Sequence, residues 1–111
     1  MQTIHLNKFG KVLVSRPAGL EAFKAMRPTL QKHEPIHIAF EDVLAVTPSW
    51  FDEFLTNLAD YVEGDVVLLP TNNASVLAAL PILLAERNDK AAESIRRFLQ
   101  EHAQSNTHGK Q

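Results

Sequence analysis

Between Ile36 and Leu69 the chain passes from a short apolar run, through one long amphipathic segment, into a second short apolar run. Ile36-His37-Ile38-Ala39-Phe40 puts a large apolar side chain at every second residue, the period of a buried strand. From Thr47 the period changes. Phe51, Phe54, Leu55, Leu58 and Val62 recur at i, i+3, i+4, i+7 and i+11, one stripe of an α-helix, while Asp52, Glu53, Thr56 and Asp60 fall on the other side. Gly64 suits the end of that helix. Asp65-Val66-Val67-Leu68-Leu69-Pro70 then reads as a strand, buried on both faces if it is central. Strand, helix and strand in that order imply parallel strands joined by a crossover helix.

The flanking segments extend the same plan. Lys11-Val12-Leu13-Val14-Ser15 reads as a strand, and Thr3-Ile4-His5-Leu6 is expected to pair with it as a hairpin across Asn7-Lys8-Phe9-Gly10. Ser15-Arg16-Pro17 has the form of a helix start, a capping residue followed by proline in the first turn. Leu20, Phe23, Met26 and Leu30 follow at helical spacing, and Pro28 with the segment around His33 to Pro35 ends that helix. Glu41 to Val46 reads as a loop. The next helix has two candidate caps, Thr47 with Pro48 after it, or Ser49 with Asp52 three residues on. Ala74 to about Arg87 is an apolar helix that Pro81 is expected to kink or divide. Asn88-Asp89 caps a last helix with Ala91, Ala92, Ile95, Phe98, Leu99 and His102 on one face. The expected order is β-β-α-β-α-β-α-α. It describes one α/β domain over residues 1–104, with a mostly parallel sheet of four to five strands and an antiparallel edge from the hairpin. Residues 105–111 are read as a polar, flexible tail.

At 111 residues the chain fits one domain and can bury a core unaided. It has no cysteine, which removes disulfides, thiolate metal sites and cysteine nucleophiles together. No signal pattern opens it, and the longest apolar stretch, residues 74–85, is too short to span a bilayer. A cytoplasmic location is expected. Net charge is −2, but residues 1–32 hold six Lys/Arg against one Glu, and residues 33–86 hold nine Asp/Glu with no Lys or Arg. That balance argues against a nucleic-acid surface.

Signatures of chemistry are sparse. The four glycines lie far apart, so no phosphate-binding loop exists. Of His5, His33, His37, His102 and His108 only His33 and His37 stand four apart, and they share no helix, since Pro35 lies between them and His37 reads as a tolerated strand histidine. No metal or cofactor is expected. Asp52 and Glu53 are neighbours whose side chains diverge by about 100° on a helix, which disfavours shared acid–base work. They read as solvated residues that complement the helix dipole. Glu41-Asp42 follows a strand, where α/β sites tend to lie. Arg16 is a candidate anion or partner contact. Trp50 has two readings, packing against the sheet edge or standing exposed as an anchor for a partner.

The stretch from Ile36 to Phe54 carries the most information. A strand ending in Phe40-Glu41-Asp42-Val43 is followed by Ser49-Trp50-Phe51-Asp52-Glu53-Phe54, and Ser15-Arg16-Pro17-Ala18 opens the earlier helix. These motifs resemble the STAS domain, the fold of anti-sigma-factor antagonists and of sulfate-transporter tails. More narrowly, they resemble the STAS-like DUF4325 family, over roughly residues 10–87. The resemblance implies a non-enzymatic regulatory module in which a serine at the start of the second helix is phosphorylated by a partner kinase. In that reading Ser49, or its neighbour Thr47, is the acceptor. Asp42, Thr47, Ser49, Trp50, Asp52, Glu53 and Arg16 are the partner-binding candidates, and a histidine-kinase-type ATPase is the implied partner. The chain departs from the antagonists' Asp-Ser-Ser-Gly, having Thr47-Pro48-Ser49-Trp50 in its place. Two other functions remain open: a constitutive accessory subunit, for example of a transporter ATPase, and a small-ligand site near Asp42, Ser49 and Asn72. A homodimer is also left open.

Overall fold

The computed structural model describes residues 2–85 and 89–109. Its strands are β1 (Gln2–His5), β2 (Val12–Leu13), β3 (Ile36–Ala39), β4 (Ala45–Val46) and β5 (Val66–Leu68). Its helices are α1 (Arg16–Met26), α2 (Pro48–Val62), α3 (Ala74–Ala85) and α4 (Lys90–Gly109). The α/β class and the crossover plan are therefore present, but the sheet is not one sheet. β1, β3 and β5 form a parallel ladder with β3 at its centre, and β2 and β4 form a second parallel ladder of two strands.

The expected antiparallel hairpin is absent. β1 pairs with β3, Gln2 opposite Ile36 and Ile4 opposite Ile38, while β2 pairs with β4, Val12 opposite Ala45. The reason lies in the connection. Residues Leu6–Phe9 form a short 3₁₀ turn whose Leu6 is fully buried, and Gly10 takes φ 128°, open to glycine and costly to other residues. The connection thus carries the chain from one ladder to the other and does not fold it back on itself. Two further expectations change. The segment after β3 is not all loop, since Ala45–Val46 forms β4, and β5 is an edge strand.

Helix ends follow the local chemistry. Ser15 caps α1, its Oγ accepting from the Ala18 N–H at 3.3 Å, with Pro17 in the first turn. α2 ends with Glu63 in the left-handed region at φ 54°, so Gly64 is not the residue that turns. Gly64 serves a close approach, because a Cβ there would meet the Glu34 carbonyl oxygen at 3.2 Å. The last turn of α2 is closed from outside when the His33 N–H donates to the Val62 carbonyl at 2.8 Å. α3 runs unbroken through Pro81. Asp89 caps α4 by accepting from the Ala92 N–H, and Asn88 lies outside the described residues. The α4 backbone is helical to Gly109, into the segment expected as a flexible tail, with residues 110 and 111 outside the described set.

α2 is the centre of the core. Phe51, Phe54, Leu58 and Val62 on its apolar stripe are fully buried, and the helix packs against α1, α3 and α4. Its interface with α1 is the most extensive between any two elements. Gly19 of α1 makes that closeness possible: a Cβ at this position would lie 2.4 Å from the Trp50 carbonyl oxygen.

Candidate functional site

The start of α2 is fixed by three elements. The small ladder holds it from one side, where the Thr47 N–H donates to the Leu13 carbonyl at 2.9 Å. Thr47 is the cap: its Oγ1 accepts from the Trp50 N–H at 3.4 Å, and Pro48 follows as the first helical residue. Of the two candidate caps, Thr47 takes the position, and Ser49 lies in the first turn with its Oγ 3.3 Å from Thr47 Oγ1. Ser49 is half-buried and is not needed to close the helix.

The third element is the start of α3, which the sequence did not mark as part of this site. The Val46 N–H donates to Ser75 Oγ at 2.9 Å, and Ser75 Oγ donates in turn to the Val46 carbonyl at 2.8 Å. Ser75 thus completes the free edge of β4 as a neighbouring strand would. The Asn73 amide donates to the Val43 carbonyl at 2.6 Å, while its Oδ1 accepts from the Val76 N–H and caps α3. Residues 43–47 are therefore bound on both sides.

Arg16, Asp52 and Glu53 come together. The guanidinium Nη1 of Arg16 lies 2.7 Å from Asp52 Oδ2 and 3.0 Å from Glu53 Oε1. The far carboxylate oxygens are also held, Asp52 Oδ1 by the Thr56 hydroxyl and Glu53 Oε2 by the Asn57 amide. Hydrogen bonding to Asp52 first, and to Glu53 second, raises the Arg16 pKa, so the guanidinium stays charged. The two carboxylates do converge, contrary to the divergence expected of helix neighbours, but on a cation from another helix. Both lie beyond the first turn of α2, where the helix dipole has faded. Their role is to tie α1 to α2 at a half-exposed position.

Trp50 is not an exposed anchor. It is 2% exposed, stacked on Phe54 at 5.0 Å between ring centroids and tilted against Phe9 at 6.2 Å. Gly19 leaves room for the first turn of α2 to lie against α1 at this point. Asp42 adopts φ 64° in the exposed turn after β3 and joins none of these bonds. Its neighbour Glu41 is within hydrogen-bond distance of His5 Nδ1 at the end of β1. No spacing rule would have paired these two residues, because the parallel ladder places them side by side.

Three exposed apolar side chains border this region. Val12 is 58% exposed, Val14 47% and Leu44 69%. Strand alternation explains the first two, since Leu13 between them is buried. Leu44 precedes β4 opposite Lys11, its N–H donating to the Lys11 carbonyl at 2.8 Å. Among the described residues no group of three or more His, Asp or Glu could hold a metal ion, and no helix is long and apolar enough to cross a membrane. Asn72 lines a cleft beside α4 that includes neither Asp42 nor Ser49, so these three do not share one pocket. Compared with known proteins, the chain matches no family model, no curated protein and no solved structure at a significant level.

Proposed function

We propose that this chain is a protein-binding regulatory module of the STAS-like type that acts without catalysing a reaction. Its face is the Asp42–Ser49 segment, the first turns of α2 with Arg16, and the outer side of β2. The observation that carries this reading is the exposure of Val12, Val14 and Leu44 along the small ladder that holds the start of α2. Single exposed apolar residues are ordinary, but three within one short ladder supply apolar anchors of the kind a docking surface uses.

Ser49 is the proposed switch. Thr47 caps the helix, so the Ser49 hydroxyl is not needed for the cap, and among the described residues its one hydrogen-bond partner is the Thr47 hydroxyl at 3.3 Å. Trp50 packs inward and does not screen it. A phosphate at this position would meet the positive end of the α2 dipole. Ser49, Asp52 and Glu53 also lie at i, i+3 and i+4, on one side of the helix. A phosphate there adds about −1.5 to −2 of charge next to two carboxylates and competes with them for Arg16. The bare form is the binding form, and the phosphorylated form releases.

The test is affinity capture from the native host with intact mass on the recovered chain, run on wild type, Ser49→Ala and the double variant Val14→Ser/Leu44→Ser. The expected result is one partner held by wild type and Ser49→Ala and lost by the double variant, with a phosphorylated fraction that disappears in Ser49→Ala. A partner bound with no phosphate in any condition turns the reading toward a constitutive accessory subunit. A partner retained in full by the double variant refutes the assigned face.

A further inference from the structure

Away from that face, at the C-terminal end of β5, a cleft of about 340 Å³ opens between the strand's exit loop and α4. Its size is at the lower end for small-molecule sites, and the C-terminal ends of parallel strands are where α/β domains place such sites. Leu68 and Phe98, both buried, form the floor. Pro70 forms an apolar wall and the His102 ring a second wall, the imidazole stacked on Phe98 with centroids 5.9 Å apart and planes 7° from parallel. The remaining lining is polar: Thr71, Asn72 and Glu101. Phe98, Glu101 and His102 reach one cleft because i, i+3 and i+4 share a side of α4.

The polar groups are not consumed by the fold. Thr71 Oγ1 accepts from the Asn73 N–H at 3.1 Å, which leaves its hydrogen to donate. No bond among the described residues engages the Asn72 amide or the Glu101 carboxylate. Among the described residues Glu101 is the one carboxylate in the lining, and no Lys or Arg lines the cleft with it.

From this we infer that the cleft is a binding site for a small organic monocation: an ammonium, amidinium or guanidinium group on a flat or cyclic apolar body. The ring lies on Leu68 and Phe98 with its edge toward His102. The cation bonds to Glu101, and the Asn72 and Thr71 side chains take its remaining donors or acceptors. A carboxylate ligand of the same shape would bring like charge against Glu101 and is rejected.

The probes are phenethylamine, tryptamine and benzamidine, with phenethyl alcohol and 3-phenylpropionate as neutral and anionic counterparts. They are titrated to millimolar concentration into the full chain and followed by backbone amide NMR. The expected result is saturable shifts at residues 68–72 and 98–102 for at least one cation, weaker shifts for the alcohol and none for the carboxylate. Glu101→Gln, on an exposed helix position, is expected to weaken the cation about tenfold, the size of a lost charge-assisted hydrogen bond. Absence of saturable shifts with all three cations overturns the proposal. So does equal binding of the carboxylate, or an unchanged affinity in Glu101→Gln. The capture experiment on the Val14/Leu44 face bears on neither result.

Discussion

Gly19→Ala separates two forces that act in opposite directions. In a helix interior, replacing Gly by Ala gains about 1 kcal/mol from backbone propensity. Here the added Cβ would sit 2.4 Å from the Trp50 carbonyl oxygen, 3.1 Å from its carbonyl carbon and 3.2 Å from its Cα. All three are backbone atoms, so no side chain can rotate away. The helices must separate by roughly 0.6–1 Å, a gap that forfeits a quarter to a half of each dispersion contact it opens. The α2 side cannot yield freely, because its first turn is fixed by the Thr47 cap, the β2 carbonyl of Leu13 and the Trp50–Phe54 stack. Overpacking of this kind costs about 3 kcal/mol or slightly more. The net expectation is a loss of about 2 kcal/mol, or a fall in Tm on the order of 10 °C for a chain of this length. Urea unfolding followed by far-UV circular dichroism and Trp50 fluorescence measures it. Ala25→Gly, on the exposed side of the same helix, is the control and should cost about 1 kcal/mol through propensity alone. If Gly19→Ala is as stable as wild type or more so, the close approach of α1 and α2 is wrong and the reasoning fails with it.

Other perturbations follow from the same geometry. Ser75→Ala leaves the N–H and carbonyl of the buried Val46 without their partner and is expected to cost about 2 kcal/mol, with hydrogen exchange at the Val46 amide accelerated. Ser15 is held at φ 80°, ψ 145°, a conformation that strains any residue with a Cβ, so Ser15→Gly should stabilise by about 1 kcal/mol after the lost cap is deducted; thermal melting decides the sign. Arg16→Ala should cost only about 0.5 kcal/mol, because the pair is half exposed, and the difference from wild type should shrink with added salt. Since its partners raise the Arg16 pKa, the guanidinium's contribution is complete at neutral pH and disappears only as pH rises through that raised value; a difference between wild type and Arg16→Ala that declined already in the mildly alkaline range would contradict the assignment. Native Trp50 should emit at short wavelength and resist iodide quenching, and ready quenching would mean that its burial is wrong.

The legible parts of the sequence were those with a strong local signal. The stripe from Phe51 to Val62 fixed α2, and the pairs Ser15/Pro17 and Thr47/Pro48 fixed two helix starts. Strand partners were not legible, because a turn motif reports only local return. The Asn7–Gly10 segment resembles a hairpin loop, yet it leads into a second ladder whose other strand lies more than thirty residues away. β4 was hidden for the same reason: two residues carry no period, and their strand character comes from the Leu13 side and from Ser75. Within the candidate site, the helix positions of Ser49, Asp52 and Glu53 could be read by counting. The cation that Asp52 and Glu53 meet could not, because Arg16 arrives from α1 across a tertiary contact. Trp50 failed as an anchor because its ring is covered by Phe54 on its own helix and by Phe9 from the connection before β2, and the second of these is a tertiary contact that no window of sequence around position 50 contains.

The all-parallel pairing also sets how this protein must be made. Its ladders join Gln2 to Ile36, Val12 to Ala45 and Ile36 to Val66, so their members are separated by 34, 33 and 30 residues. No strand can pair with what has just been synthesised. β1 leaves the ribosome first and waits, with its backbone unpaired, until β3 emerges, and the larger ladder is complete only after α2 has been made. Folding is therefore non-local and late, and the early chain depends on α1 alone for local order. Deleting Gln2–His5 would remove an edge strand and bare one side of β3, a hydrophobic strand with free hydrogen-bonding groups. The penalty for that loss should appear as aggregation during expression before it appears as reduced stability in any purified sample.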